Sequence, residues 1–484
     1  MTSPPRRCRI VVTTDPELDD LNSMLRLLLY ANEIELAALV TSSSQFHYAG
    51  DPERGIEPFR WPAPGAQLHI EQAIDAYAEV YDTLVAHDER YPTPTSLRAI
   101  TADGNLATVG DTGHPTPGSD LIADLLVDDE PGLIVAQAWG GFNTIARALL
   151  TVEERAREAG EWDEVRDRVT ARTILTGFGE QDDTFAELIR PRWPELELRQ
   201  VATLAWCYPV RAVTSPDVHG YLDAEWTAAN VSSVGPMGAA YRVWGDGLQM
   251  ADGFDAEDYF GLTGRTADEL RADGYQVFVP PEPAGAFISE GDSSNFALHI
   301  DNGLRNFEHP TWGGWGGRQV ADADDPHRWN SVGFTAFGGD TPPEGFTPSD
   351  WGDVGRWLPA FQRDFAARLR WTVTTPADAN HPPTIDVDGG LDRTAAPGDR
   401  VEVRWTTDDP DGDAVTVDAW IYAEAGIDAA VDARENCSGA GASGVVVTVP
   451  ADAAPGDLIH LICEATDDGE PAITRYARVV ITVV

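Results

Sequence analysis

The stretch from Val12 to Ile34, VTTDPELDDLNSMLRLLLYANEI, sets four acidic side chains between a short apolar run and a mostly apolar helix. They are Asp15, Glu17, Asp19 and Asp20. Carboxylates gathered where a buried strand meets a buried helix repel one another and lose hydration unless something positive lies among them. The plainer account is an acidic helix cap, since backbone N–H groups at a helix N-terminus favour negative charge. One Asp suffices for a cap, however, and three converging carboxylates suit a hard cation. Ca2+ takes six to eight oxygens in flexible geometry and matches them better than Mg2+ does.

Other polar groups have spacing that suits sugar chemistry. Gln45 and His47 follow a predicted strand and could line a cleft. GEQDDTF at 179–185 could hold substrate hydroxyls through Gln181, Asp182 and Asp183, or Asp183 could cap a helix. EHPTWGGWGGR at 308–318 sets Trp312 and Trp315 one Gly pair apart. Trp faces stack on sugar rings, and Gly lets backbone approach a ligand; a Gly-rich loop pinned by buried Trp is the competing account. His309 in the same loop either satisfies local hydrogen bonds or acts in catalysis.

The elements that would position these groups are legible as apolar runs. Residues 10–13 (IVVT) predict a buried strand, Leu21–Tyr30 a helix and Glu35–Thr41 the next strand. That βαβ opening implies a parallel sheet with helices on its faces. Gln67–Ala86 predicts a helix, Leu133–Ala136 a strand, GGFNTIARALL from Gly140 the passage into a helix, and Thr173–Thr176 another strand. Polar residues gather after the C-terminal end of each strand, the edge along which open α/β sheets place ligands. The middle, from about Pro209 to Asp340, reads as long loops, and Trp357–Trp371 as a closing helix. Beyond a linker composition at 374–384 the texture changes to alternating runs such as VEVRW, GVVVTV and ARVVITVV, which predict an immunoglobulin-like β-sandwich. In that region DDPDGD at 408–413 lacks the glutamate of a calcium loop and reads as an acidic hairpin turn.

A chain of 484 residues exceeds one ordinary core, so two domains are expected. The boundaries drawn are 1–374, a linker at 375–383, and 384–484. A net charge of −46, with no lysine among the 34 basic residues, argues against nucleic acid or an anionic membrane as partner. The four cysteines match no zinc pattern; Cys437 and Cys463 could pair in an oxidising compartment or stay as buried thiols. MTSPPRRCRIVV lacks the apolar stretch of a signal peptide, so the chain as given is expected in the cytoplasm, or outside the cell if a leader was removed. The oligomeric state is left open, a homo-oligomer included.

TDPELDD resembles the Asp-rich metal signature DxDPGxDD of the nucleoside hydrolase superfamily. With LNSMLRLLLYANEI and VTSSSQ at 40–45, it is closer still to the nucleoside hydrolase-like family linked with a cellulose-binding protein. The similarity spans roughly residues 8–372 and continues in AWGGFNTIARAL, GFGEQDD, EGDSSNF and EHPTWGGWGGR. The C-terminal region resembles the second domain attached to that family. The resemblance implies an α/β fold with an open, mostly parallel sheet, bound Ca2+, and hydrolysis through an oxocarbenium-like state. By position, Asp15 would be metal ligand and general base, and Asp20 a metal ligand. Asp292 would be the late ligand, Asn143 would offer its backbone carbonyl, and Asp19 would bind a hydroxyl.

The sequence departs from that pattern in informative places. Thr13 stands for its first Asp, Glu17 for its Gly, and Gly291 for a His that assists a leaving base. A furanoside or oligosaccharide is therefore expected rather than a free nucleoside. A sugar leaving group calls for a carboxylic acid, for which Glu290 and Glu308 are the candidates. The alternatives are a carbohydrate-binding protein that kept the cleft without turnover, and a true N-ribohydrolase.

Overall fold

The computed structural model describes residues 8–201, 203–249, 256–332, 354–433 and 442–484. Its first part is built on β1 (Cys8–Thr14), β2 (Glu35–Thr41), β3 (Thr101–Asp103), β4 (Leu133–Ala138), β5 (Thr173–Gly177), β6 (Glu197–Gln200), β7 (Gln319–Ala321) and β8 (Arg328–Ser331). These form one eight-stranded sheet in the order β3-β2-β1-β4-β5-β6-β8-β7. Every described pairing is parallel except β7 on β8. Such a sheet is covered on both faces, which is why CRIVVTT reads as a continuous apolar run. Ile10 and Val12 enter one core with Leu25 and Leu28, while Val11 enters the other with Ile145 and Leu149.

The chain runs outward from β1 through β2 to β3, then returns to lay β4 on the other side of β1. The order reverses there, and ligand crevices in open α/β sheets form at such a switch point. Helix α1 (Leu18–Leu29) follows β1, and all twelve of its residues are buried. It is enclosed by α2 (His69–His87), the short helix Ser293–Ala297 and the closing helix Leu358–Trp371. A helix buried all round must neutralise its charges internally. Arg26 does so by donating from Nε and Nη2 to Glu290 at 2.5 and 2.9 Å, and from Nη2 to Gln362 at 2.6 Å.

The C-terminal part holds β9 (Thr384–Val387), β10 (Asp392–Ala395), β11 (Arg400–Asp408), β12 (Thr416–Ile421), β13 (Ala430–Ala433), β14 (Ala442–Thr448), β15 (Leu458–Thr466) and β16 (Thr474–Val483). They form two four-stranded sheets, β13-β14-β11-β9 and β10-β16-β15-β12. Val403, Trp405 and Val447 of one sheet share a core with Leu461, Cys463 and Val479 of the other. Cys463 is thus a core side chain, and Cys437 lies outside the described residues.

The two parts meet in a dry aromatic seam. Trp357 lies 5.3 Å from Tyr476 and 6.2 Å from Tyr422 between ring centroids. Arg478, fully buried, donates to the carbonyls of Trp312 and Gly313. Arg475 reaches Asp364 of the closing helix at 2.6 Å. At Gly303 a Cβ would stand 1.8 Å from the Tyr476 carbonyl oxygen, so only glycine allows this approach. The segment whose composition reads as a linker is pinned: Trp371 Nε1 donates to the Asn380 carbonyl at 2.8 Å, and His381 bonds His87 at 3.0 Å.

Candidate functional site

Asp15 leaves the C-terminal end of β1, and Asp19 and Asp20 occupy the first turn of α1. Asp292 precedes the helix Ser293–Ala297. All four carboxylates are buried, and Glu17 beside them is partly exposed. Two loops press bare backbone against the cluster. A Cβ at Gly140 would lie 2.4 Å from Asp15 Oδ1, and one at Gly291 would lie 2.8 Å from Asp19 Oδ2. The glycines of GGFNT and EGDSSN are therefore there for room beside the acids.

The acids differ in how they are held. Asp15 Oδ2 accepts from Ser44 Oγ at 2.7 Å and lies 2.8 Å from His47 Nδ1. Burial alone would raise the Asp15 pKa, but the bonds from His47 and Ser44 and the charge of His47 bring it below the ordinary value. Asp20 is pushed well up by burial and then by Asp292, Asp15 and Asp19, against a hydrogen bond from Thr14. Asp292 is pushed well up by burial, Asp19, Asp15 and Glu17. Glu17 is raised well above its ordinary value by burial and Asp19. Tyr208 donates to Glu17 Oε1 at 3.1 Å and approaches Asp19 Oδ1 at 3.4 Å.

Behind Asp20 a short relay runs to α2. The Thr14 hydroxyl donates to Asp20 Oδ1, so His69 Nε2, 2.9 Å from the same hydroxyl, must be the donor to Thr14. That places a proton on Nε2, and burial lowers the pKa of His69 to about 4.

The other predicted residues separate into rim, scaffold and seam. His47 is in the well, against Asp15. Gln45 is exposed at the rim, its N–H bonded to the Gln181 carbonyl at 2.9 Å, and Gln181 Nε2 donates to the Trp139 carbonyl at 2.9 Å. Asp183 is exposed in a left-handed turn with φ 59° and caps no helix. Asp182 is scaffold rather than sugar-binding: it accepts the Asn143 N–H at 2.8 Å and both the N–H and hydroxyl of Thr184. Asn143 opens the helix Asn143–Ala159, where its carbonyl is directed along the helix. Its side-chain amide donates to Ser43 Oγ and to the Asn105 carbonyl.

Both glutamates expected as acids belong elsewhere. Glu290 is fully buried and locked to Arg26, with Tyr241 donating to it as well. Glu308 is half exposed and paired to Arg305 at 2.6 Å, which also holds Asp392 of the C-terminal part. Neither faces the acids around Asp15. Trp315 is fully buried beneath Phe361 and Tyr476 and offers no open face, whereas Trp312, in the seam beside Arg305 and His460, is partly exposed. His309 is exposed beside Trp312 and bonds Thr311. DDPDGD is a turn, with Asp409 accepting the N–H groups of Asp411 and Asp413.

Among the described residues, two groups of three have ligand atoms within 4.8 Å of one another: Asp15, Glu17 and His47, and Glu17, Asp19 and Asp20. Neither contains Asp292, although Asp292 is the neighbouring charge that bears most on Asp20. An oxygen-rich, buried set of mutually repelling carboxylates fits a hard dication. Sequence reasoning passed over Glu17, Tyr208, Ser44 and His69. Glu17 was counted in the acidic cluster but given no ligand role, because it stands where the signature has glycine. Ser44 lies in the VTSSSQ run, whereas Tyr208 and His69 carry no local signal.

The model of the family described as "Cellulose-binding Sde182, nucleoside hydrolase-like domain" matches residues 9–319. That of "Cellulose-binding protein Sde0182, C-terminal domain" matches residues 401–483. Among solved structures, a nucleoside hydrolase-related hypothetical protein from Saccharophagus degradans, described as associated with carbohydrate metabolism, is 22% identical with a TM-score of 0.69. The match covers 99% of this chain and 100% of that one. Domains 4 and 5 of the S-layer protein SbsC match at 24% identity over 21% of this chain and 51% of theirs, with a TM-score of 0.15. No curated protein matches the chain.

Proposed function

The chain belongs to the cellulose-binding Sde182, nucleoside hydrolase-like family, and from that premise we propose that it hydrolyses a glycosidic bond with Ca2+ held in the acidic well. The observation that carries this reading is the convergence of ligand atoms from Asp15, Glu17 and His47, and from Glu17, Asp19 and Asp20, each set within 4.8 Å. Asp15, Asp20 and Asp292 would hold the cation. Bound there, Ca2+ would acidify a water and fix sugar hydroxyls. Asp15 takes the water proton: Ser44 and His47 occupy Oδ2 and orient the carboxylate, and Oδ1 faces the backbone of Gly140. The carboxylates around it stabilise positive charge as it develops on the sugar ring. Asp19, bonded by Ser289 at 3.1 Å, is positioned to accept from a sugar hydroxyl. Gln45, Gln181 and Asp183 at the rim serve a ligand that extends from the well.

The substrate class we favour is a furanoside or oligosaccharide, and the family's name directs attention to cellulose-derived sugars. We read the C-terminal sheets as an immunoglobulin-like sandwich at 384–484, joined to the catalytic part at 1–374 by the linker at 375–383. A second reading, carbohydrate binding without turnover, draws support from one observation: Glu290 and Glu308 are both committed to arginines, which removes the expected proton donors to a leaving group. True N-ribohydrolase activity is the third possibility. Aryl furanosides, aryl pyranosides, cello-oligosaccharides and nucleosides, each with wild type and Asp15→Asn in Ca2+, separate the three. Turnover of a sugar substrate that Asp15→Asn loses supports the hydrolase. Retention of sugar by a wild type that turns over nothing establishes the second reading, and a preference for nucleosides the third.

A further inference from the structure

We propose that Glu17, which stands where the superfamily signature has glycine, is itself a ligand of the cation; the inference rests on the Ca2+ reading above. Glu17 is the N-cap residue of α1, with the extended backbone usual there (φ −93°, ψ 163°), yet its side chain makes no cap hydrogen bond. A carboxylate at that position ordinarily accepts a free N–H of the first turn. This one turns instead toward other carboxylates. It is the member common to both groups of converging ligand atoms, one with Asp15 and His47, the other with Asp19 and Asp20. Glu17 Oε2 lies 3.4 Å from His47 Nδ1, and Oε1 receives the Tyr208 hydroxyl. Arg60, the arginine whose charge bears on Glu17, is bonded to Glu257 at 2.8 Å.

A carboxylate that leaves the cap to face like charges is stabilised when a cation gathers them. A glycine supplies neither the charge nor the oxygens, so Glu17 adds a donor at the mouth of the well, on the side from which a ligand enters. Each position it takes in a shell of six to eight oxygens is withdrawn from the ligand, which narrows the set of sugar hydroxyls the cation can hold.

The test uses the full chain, stripped with EDTA, in three forms: wild type, Glu17→Gln and Glu17→Gly. Ca2+ binding is measured by calorimetry, and Tb3+ binding by luminescence sensitised through Tyr208. Melting in EDTA checks that each form is folded, and the partly exposed side chain makes folding of both variants the expected outcome. Both variants should bind Ca2+ at least about tenfold more weakly than wild type, since affinity follows ligand charge count. A wild type that binds no Ca2+ overturns the Ca2+ reading, and the Glu17 inference with it. A wild type that binds, beside two variants of unchanged affinity, removes Glu17 alone and leaves that reading standing.

Discussion

Glu290→Gln is the substitution that separates a buried structural charge from a catalytic one. In the wild type the carboxylate takes two bonds from Arg26, one from Ser293 at 3.0 Å and one from Tyr241. Arg26 also reaches the Phe361 carbonyl at 3.0 Å and lies 3.8 Å over the Phe365 ring. Glutamine keeps the shape but turns one acceptor into an N–H2 group aimed at a guanidinium. The arginine keeps its charge and loses its counter-ion. Removing one partner of a buried pair costs about 3–5 kcal/mol. At about 2.1 cal/mol/K per residue, 484 residues give an unfolding entropy of roughly 1 kcal/mol/K. The melting temperature should therefore fall by about 3–5 °C. Scanning calorimetry with sugar hydrolysis assayed well below the transition reads both effects. A variant that melts with wild type but has lost turnover would refute the structural assignment and return Glu290 to the acid role.

Three more outcomes follow from the same physics. Glu17, Asp20 and Asp292 have pKa values raised by burial and like charge, so the metal-free fold holds protons that the unfolded chain releases near pH 4. Their contribution to metal-free stability is greatest below that pH and falls as pH rises, so the melting gap between Ca2+ and EDTA should widen from pH 5 to 8; a constant gap contradicts this. His69 acts with the opposite sign: burial lowers it to about 4, so its contribution is complete above about pH 6.5 and is lost as pH falls toward 4. His69→Gln should flatten that acid limb in a pH series of melting curves. Trp315→Ala should cost about 3–5 kcal/mol of stability by urea unfolding while leaving the sugar affinity of the folded protein unchanged. Selective loss of affinity would restore the ring to a binding role.

The acidic well was legible because its members are crowded into six residues at a strand–helix junction, where charge has no structural excuse. Asp292 was legible only through family resemblance, since nothing local distinguishes it from a surface acid. The parallel sheet announced itself through buried runs such as ELAALVT, which β2 reproduces residue for residue. Helix limits drifted by a turn: α1 begins at Leu18 rather than Leu21 because Asp19 and Asp20 lie inside its first turn. Glu308 meets Arg305 only three residues away, but the places of Glu290 and Trp315 have another cause: Arg26 is 264 residues from the first and Tyr476 is 161 from the second. No spacing rule reveals a contact of that range. Asp182 shows the converse, a polar residue well placed for a ligand but used to hold the first N–H of a neighbouring helix.

The seam at Gly303 bears on how this architecture can be rearranged. Because the Tyr476 carbonyl fills the space a side chain would need, and Arg478 reaches across to two carbonyls of the other part, the sandwich is not an exchangeable cassette. Grafted onto another protein, it would carry Tyr422, Tyr476 and a buried arginine onto an open surface with nothing to satisfy them.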